Sequence, residues 1–332
     1  MASMLEFRTA GFNPYAVKYS PYYDSRIAVA SAANYGIVGN GRLFCLGLGP
    51  HGVQVEKTFD TNDAQYDLAW SEINENQLLA ACGDGSVKLY DVKVDEFPVM
   101  NFHEHKREAY AVAWSPVTKD TFASSSWDGT VKIHVVLSLK SKYNLSRINR
   151  LTPPHIRPPN TRQRPVPSHR KDTGSPAPHR CRCPPGVSPP CMPAEILTHD
   201  WNKYRDSVIA TGGVDRVIRT FDIRNPTAGP ASIMMGHDYA VRRLAWSPHA
   251  ADILLSASYD MTVRLWTDGS TLATDQSPPV NPGLQLGIMN RHTEFVTGVD
   301  WCLFGVGGWV ATVGWDERVL LWDANMMLQG RG

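Results

Sequence analysis

Three groups of residues in this 332-residue sequence have types and spacings that invite a chemical reading. Gly47-Leu48-Gly49-Pro50-His51-Gly52 matches G-x-G-x-x-G literally. A dinucleotide site needs that loop to open a helix whose amide ends receive the pyrophosphate. Here Val53-Gln54-Val55 continues as a strand pattern and Pro50 removes a donor, so the run reads as a hairpin turn. Cys181, Cys183 and Cys191 with His169 and His179 hold zinc-ligand types, yet they sit among prolines without the recurrent C-x₂₋₄-C spacing of zinc sites. The Arg/Pro run around them could engage an SH3-like groove or nucleic acid, but a solvated tract is the simpler reading. No P-loop, H-E-x-x-H or G-x-S-x-G occurs. The expectation is no catalyst, no metal and no cofactor.

The elements that would position any site come from two compositions. Between Leu137 and Pro193 there are eleven Lys+Arg and one acid, thirteen prolines from Pro153 onward, and no aromatic between Tyr143 and Trp201. The remainder carries 22 basic and 31 acidic residues and is rich in aromatics, so the overall charge of +1 conceals a basic centre and an acidic body. No global field favours nucleic acid or an anionic membrane. No apolar run nears the ~18 residues of a membrane span, so no direct membrane insertion is expected. The start lacks a signal-peptide layout, and six scattered cysteines imply a reducing compartment. A secreted, membrane or collagen-like protein is not expected.

A repeat organises the acidic body. Strands ending in an aromatic and a small polar residue, such as Tyr66-Asp67-Leu68-Ala69-Trp70-Ser71 and Leu244-Ala245-Trp246-Ser247, precede small-residue strands. An Asp turn and a further strand follow, around Asp84, Asp128, Asp215, Asp260 and Asp316. Period-2 alternation between turn residues predicts antiparallel strands. The aspartates are 44, 87, 45 and 56 residues apart, the last interval holding a Pro/Gly-rich insertion, Asp268 to Gly287, that reads as a loop. A period near 44 with a closing Trp-Asp resembles the WD40 repeat of seven-bladed β-propellers, over roughly 15–136 and 194–323. The resemblance implies structural tetrads: His237, Ser256, Asp260 and Trp266 in unit six, and His292, Thr312, Asp316 and Trp322 in unit seven. These imply hydrogen bonds that lock turns, not catalysis. Unit one, Tyr15 to Leu46, is degenerate, and the Gly47–Gly52 turn falls between blades one and two. Unit two has Thr61 and Tyr90 in the His and Trp slots; unit three has His105, Ser124 and Asp128 but His134 for Trp; unit five has Met192, Thr211, Asp215 and Phe221.

The 87 residues from Asp128 to Asp215 hold nearly two periods, so one unit should lie between units three and five. Thirteen prolines cannot build it, because each removes a ladder donor. The pattern stops after Ile133 and resumes at Ala194, as a frameshift or mis-spliced exon would produce; a genuine Pro/Arg-rich insert is the alternative. The expected layout is 1–136 for blades one to three, 137–193 as a disordered insert in place of blade four, 194–325 for blades five to seven, and 326–332 as a tail. The substituted chain is expected to be poorly soluble and weak at peptide binding, because blades three and five lose their shared neighbour.

Propellers bind where the Asp turns meet the entry to each inner strand. One exposed position per unit precedes the Asp, giving Gly83, Trp127, Val214, Tyr259 and Trp315; another lies six or seven residues before the first-strand aromatic, giving Asp63, Glu108, Glu195, Ala240 and Glu294. Four acids in five, with Tyr110, Trp127, Tyr259, Phe295 and Trp315 beside them, predict a negative rim over an aromatic floor suited to a cationic amphipathic helical peptide. Tyr35-Gly36-Ile37-Val38-Gly39-Asn40-Gly41, Phe59-Asp60-Thr61-Asn62-Asp63, Ala194-Glu195-Ile196-Leu197, Tyr239-Ala240-Val241-Arg242-Arg243 and His292-Thr293-Glu294-Phe295 resemble one family, the peroxisomal receptors for the type-2 matrix targeting signal. That resemblance implies a shuttle between cytosol and peroxisome matrix, cargo carrying an N-terminal signal nonapeptide, and a co-receptor with a docking complex. It brings Tyr239 and Arg242 into the expected peptide site with the rim and floor residues. The rival expectation is a generic WD40 scaffold or substrate adaptor, for instance of a ubiquitin ligase.

Overall fold

In a computed structural model of the chain, the residues described are 4–94, 97–136, 143–146, 195–271, 280–305 and 307–327. They form six sheets, antiparallel but for one short parallel pair at the edge of blade five, arranged as a propeller with the first strand of each blade innermost. Blade one comprises Asn13–Tyr19, Arg26–Ala32, Gly41–Gly49 and Gly52–Thr61; blade two comprises Gln65–Trp70, Gln77–Cys82, Ser86–Asp91 and Met100–His103. Blade three begins with Ala109–Trp114, blade five with Ile196–Trp201, blade six with Val241–Trp246 and blade seven with Val296–Trp301. The fourth strand of blade seven is Leu5–Arg8, which pairs antiparallel with Arg318–Asp323. Arg318 clamps it by donating to both carboxylate oxygens of Glu6, at 2.8 and 2.7 Å. The sequence holds no signal for this closing strand, which is four residues long and lacks an Asp turn.

Three boundaries move. The G-x-G-x-x-G run lies inside blade one, where Gly49 faces Gly52 across the Pro50-His51 turn, and not between blades one and two. It opens no helix. Within the Asp268–Gly287 insertion, Asn281–Pro282 adds to blade five and Leu284 begins the outer strand of blade six, so the insertion is not loop throughout. Tyr143–Ser146 pairs with Thr130–Val135 as the outer strand of blade three, so ordered pairing reaches past residue 137. The expected insert otherwise lies outside the described residues, as do Met192, the three cysteines of the candidate zinc group and its two histidines.

The core lies between blades. Buried clusters join one with two, two with three, five with six, six with seven and seven with one. Among the described residues none joins blade three to blade five. The first-strand aromatic normally buries against the preceding blade: Trp70, Trp246 and Trp301 are 6%, 1% and 5% exposed, whereas Trp201 of blade five is 44% exposed. Indole N–H groups lace neighbours together, with Trp70 donating to the Lys18 carbonyl (3.1 Å), Trp114 to that of Ala69 (3.1 Å) and Trp301 to that of Ala245 (3.0 Å). Across the central channel, a cavity of about 730 Å³, Arg243 of blade six pairs with Asp67 of blade two at 2.6 Å. The other oxygen of Asp67 accepts the Val112 N–H at 3.2 Å, so one carboxylate joins three blades. No helix among the described residues is long and apolar enough to cross a membrane.

Candidate functional site

The tetrads assemble where the spacing places them. His237 Nδ1 lies 2.7 Å from Asp260 and its Nε2 lies 2.6 Å from Ser256 Oγ, which accepts the Trp266 indole N–H at 2.8 Å. His292, Asp316, Thr312 and Trp322 repeat this at 3.0, 3.1 and 3.2 Å. The proton order follows from the end groups. Each carboxylate accepts Nδ1–H, so neutral imidazole takes the hydroxyl proton at Nε2, leaving that oxygen to accept from the indole. Burial lowers the affinity of His237 for a second proton, while the bonds of His237 and Thr262 hold Asp260 well below the usual carboxylate range. Ser256 and Thr312 are fully buried, so neither hydroxyl can meet a substrate. These sets are structural.

Blades two, three and five depart from the full tetrad. In blade three His134 takes the Trp slot, its Nε2 lying 3.0 Å from Ser124 Oγ, which also contacts His105 at 2.8 Å. Ser124 gives its proton to His105, so His134 Nε2 carries a hydrogen and Nδ1 is left as a buried acceptor without a partner. Burial pushes the His134 pKa down to about 4. In blades two and five, Lys88 and Arg219 pair with Asp84 and Asp215 at 2.9 and 2.5 Å. Tyr90 fills the Trp slot of blade two with its hydroxyl buried and unpaired.

One face gathers the residues expected to bind. In every blade with an Asp turn, the residue before the Asp donates its N–H to the entry of the first strand: Gly83 to Ala64, Trp127 to Glu108, Val214 to Glu195, Tyr259 to Ala240 and Trp315 to Phe295, at 2.8 to 3.1 Å. The equivalent entry residues are therefore Ala64, Glu108, Glu195, Ala240 and Phe295; Asp63 and Glu294 lie one residue further out than the sequence register placed them. Asp63, Glu195 and Glu294 are exposed, and Glu108 is half-buried with Arg107 3.4 Å away.

The floor is built by a device repeated six times. Each innermost strand breaks register at its second or third residue, leaving Tyr15, Tyr66, Tyr110, Leu197, Arg242 and Thr297 unpaired. A bulge re-aims its side chain, and three of these six are tyrosines. Rings run in contact from Trp127 to Tyr110 (4.8 Å), Tyr66 (4.5 Å), Tyr15 (5.1 Å), Trp315 (5.7 Å), Phe295 (5.3 Å) and Tyr259 (4.8 Å). Arg242 lies over Tyr110 with its guanidinium carbon 6.0 Å from the ring centre, and Tyr239 is exposed beside it. Tyr15, Tyr66 and Tyr35 were not among the expected site residues. The first two were legible: each bulged residue lies four before the position of the first-strand aromatic. Burial raises the phenol pKa of Tyr66 to about 12 and that of Tyr15 further, so both remain hydrogen-bond donors. Together these residues place Asp63, Glu108, Glu195 and Glu294 on the same face as a chain of contacting aromatic rings.

A model of the WD domain, G-beta repeat, matches residues 96–134, 229–267 and 283–323. A protein of Saccharomyces cerevisiae named peroxisomal targeting signal 2 receptor is 36% identical, over 96% of this chain and 99% of its own length. Proteins of the same name from Schizosaccharomyces pombe (33% identical, 97% of this chain and 100% of the relative) and Mus musculus (34%, 97% and 98%) align as fully. End-to-end similarity at this level, on a propeller whose tetrads and mouth follow the repeat, shows that the chain belongs to the peroxisomal targeting signal 2 receptor family of WD40-repeat proteins.

Proposed function

We propose that this protein is a receptor that binds the N-terminal type-2 targeting signal of cargo proteins and, with a co-receptor, brings them to a docking complex for import into the peroxisomal matrix, shuttling between cytosol and peroxisome. The names of its full-length relatives support a targeting role. The observation that carries the binding mode is the ring of contacting aromatics from Trp127 to Tyr259 beneath Asp63, Glu108, Glu195 and Glu294. A helical peptide with basic and apolar residues on one face meets both parts at once: its cations reach the rim and its apolar groups lie on the rings. The protein acts by association, and no step requires a cofactor.

Binding of a fluorescein-labelled signal nonapeptide, compared with a copy whose basic residue is reversed to Glu, tests the reading. Binding of the first and loss of the second is expected. Equal binding of both, or of neither, would instead favour a general scaffold or substrate adaptor.

A further inference from the structure

The second and third strands of blade one are joined by a loop that stands beside the aromatic floor. Asn34, Tyr35 and Gly36 adopt left-handed backbone angles in succession, with φ of 49°, 57° and 68°. L-residues disfavour this conformation, and it persists only where the surroundings fix it. Three side chains do so. Asn13 accepts the Tyr35 N–H at 2.8 Å and donates to the Trp315 carbonyl at 2.8 Å. Tyr15 donates to the Tyr35 carbonyl at 2.5 Å, and Tyr66 to that of Gly36 at 3.1 Å. The Tyr35 ring closes on Trp315 with centroids 5.3 Å apart. Gly36 is required there, since a Cβ would lie 2.8 Å from the Tyr15 hydroxyl and 3.2 Å from the Tyr66 ring.

The result of this bracing is exposure of the residues that follow. Ile37 and Val38 are 81% and 71% exposed, and Tyr35 is 48% exposed. A solubilising loop would present polar groups; this one presents two aliphatic side chains at the edge of an aromatic surface. Beyond the loop, Gly41 packs against the backbone that carries Asp63, since a Cβ there would meet the Asp63 carbonyl oxygen at 2.4 Å. The loop is thus tied to the aromatic floor through the Tyr35–Trp315 contact and presents its exposed aliphatic pair directly after that ring in the chain, a surface that apolar residues of a bound peptide complement.

We propose that Asn34–Val38 is a preformed specificity element: Ile37 and Val38 receive an apolar residue of the bound cationic peptide, and Asn13, Tyr15 and Tyr66 are positioning residues that hold them in place. This rests on the receptor reading and adds which part of the mouth selects the apolar residues. Preformation matters because a loop ordered only on binding would subtract its ordering cost from the affinity.

The test uses the full chain, the labelled signal nonapeptide and a second peptide with its apolar face residues changed to Ala. Ile37→Ser/Val38→Ser should weaken the first peptide about 10-fold, equivalent to about 1.4 kcal/mol, and the Ala peptide less than about 2-fold. Tyr66→Phe keeps the ring but releases Gly36; it should weaken the first peptide about 3-fold alone and add nothing to the double variant, which a purely structural role would not reproduce. Unchanged affinity of the double variant, or an equal loss for both peptides, overturns the specificity element while leaving the receptor reading intact. No binding of either peptide by the unsubstituted chain overturns both.

Discussion

Replacing His134 by Phe should make the protein more tolerant of acid. His134 is fully buried, stacked on Phe122 at 4.7 Å and edge-on to Phe102 at 5.6 Å. With its folded pKa near 4 and an unfolded value near 6.5, the native state resists a proton that the unfolded chain accepts. The sign follows: the stability this creates is complete above about pH 6.5 and is lost as pH falls toward about 4. Integrating the two titrations from about pH 7.5 to about pH 5 gives a loss of about 2 kcal/mol that Phe cannot suffer. At neutral pH the exchange should be nearly neutral, within about 1 kcal/mol, because the lost bond to Ser124 is offset by removal of the unpaired Nδ1. The buried histidines His105 and His237 contribute slopes of the same sign, so the difference between variant and parent is the informative quantity. Urea midpoints at the two pH values measure it, given slopes of about 1–3 kcal/mol per molar. Parallel pH dependence of the two proteins would refute the assignment of a neutral, proton-resistant imidazole to the Trp slot.

Glu108→Lys and Glu195→Lys should each weaken signal-peptide binding by about 1–3 kcal/mol with the propeller still folded, measured by fluorescence anisotropy and circular dichroism; unchanged affinity for both would remove them from the site. Arg243→Ala strands the nearly buried Asp67 carboxylate in the channel and should cost about 3 kcal/mol in urea unfolding. Deleting residues 1–11 removes the clamp of Glu6 on Arg318 and the packing of Leu5 and Phe7, and should lower the melting temperature while exposing the Arg318–Asp323 edge to aggregation visible by light scattering.

What the sequence made legible was whatever repeats with a chemical marker. The His-Ser/Thr-Asp-Trp sets of blades six and seven set the period and hence the propeller, and the Asp turns located the mouth because each carries its neighbour to the same edge. The rest lacked a marker or depended on register. Leu5–Arg8 has four residues and no turn, so only its pairing with the far end of the chain reveals it. Asp63 and Glu294 were offset by one because an entry residue and its outward neighbour cannot be told apart without the hydrogen bonds from Gly83 and Trp315. The Tyr35 loop sits in the degenerate first unit, and its conformation is imposed by Asn13, Tyr15 and Tyr66 across the fold, beyond any local pattern. Ala111, Ala113 and Trp201, facing the gap between blades three and five, report the same limit: their sequence is ordinary, and their exposure follows from which neighbour is absent among the described residues.

The bond between Glu6 and Arg318 joins residues 312 positions apart. A ribosome adding about 5–20 residues per second needs about 15–60 s to travel between them. Throughout that interval the strand Leu5–Arg8 has no partner, and blade one has no seventh blade against which to bury Val17, Val29 and Leu46. Blades one to three can condense as they emerge, since each buries against the one just made, but the ring can shut only once its last strand leaves the exit tunnel. The nascent chain therefore carries an open seam with sticky apolar walls for most of its synthesis. A holdase that shields that seam during translation would raise the yield of folded protein far more than one supplied after release.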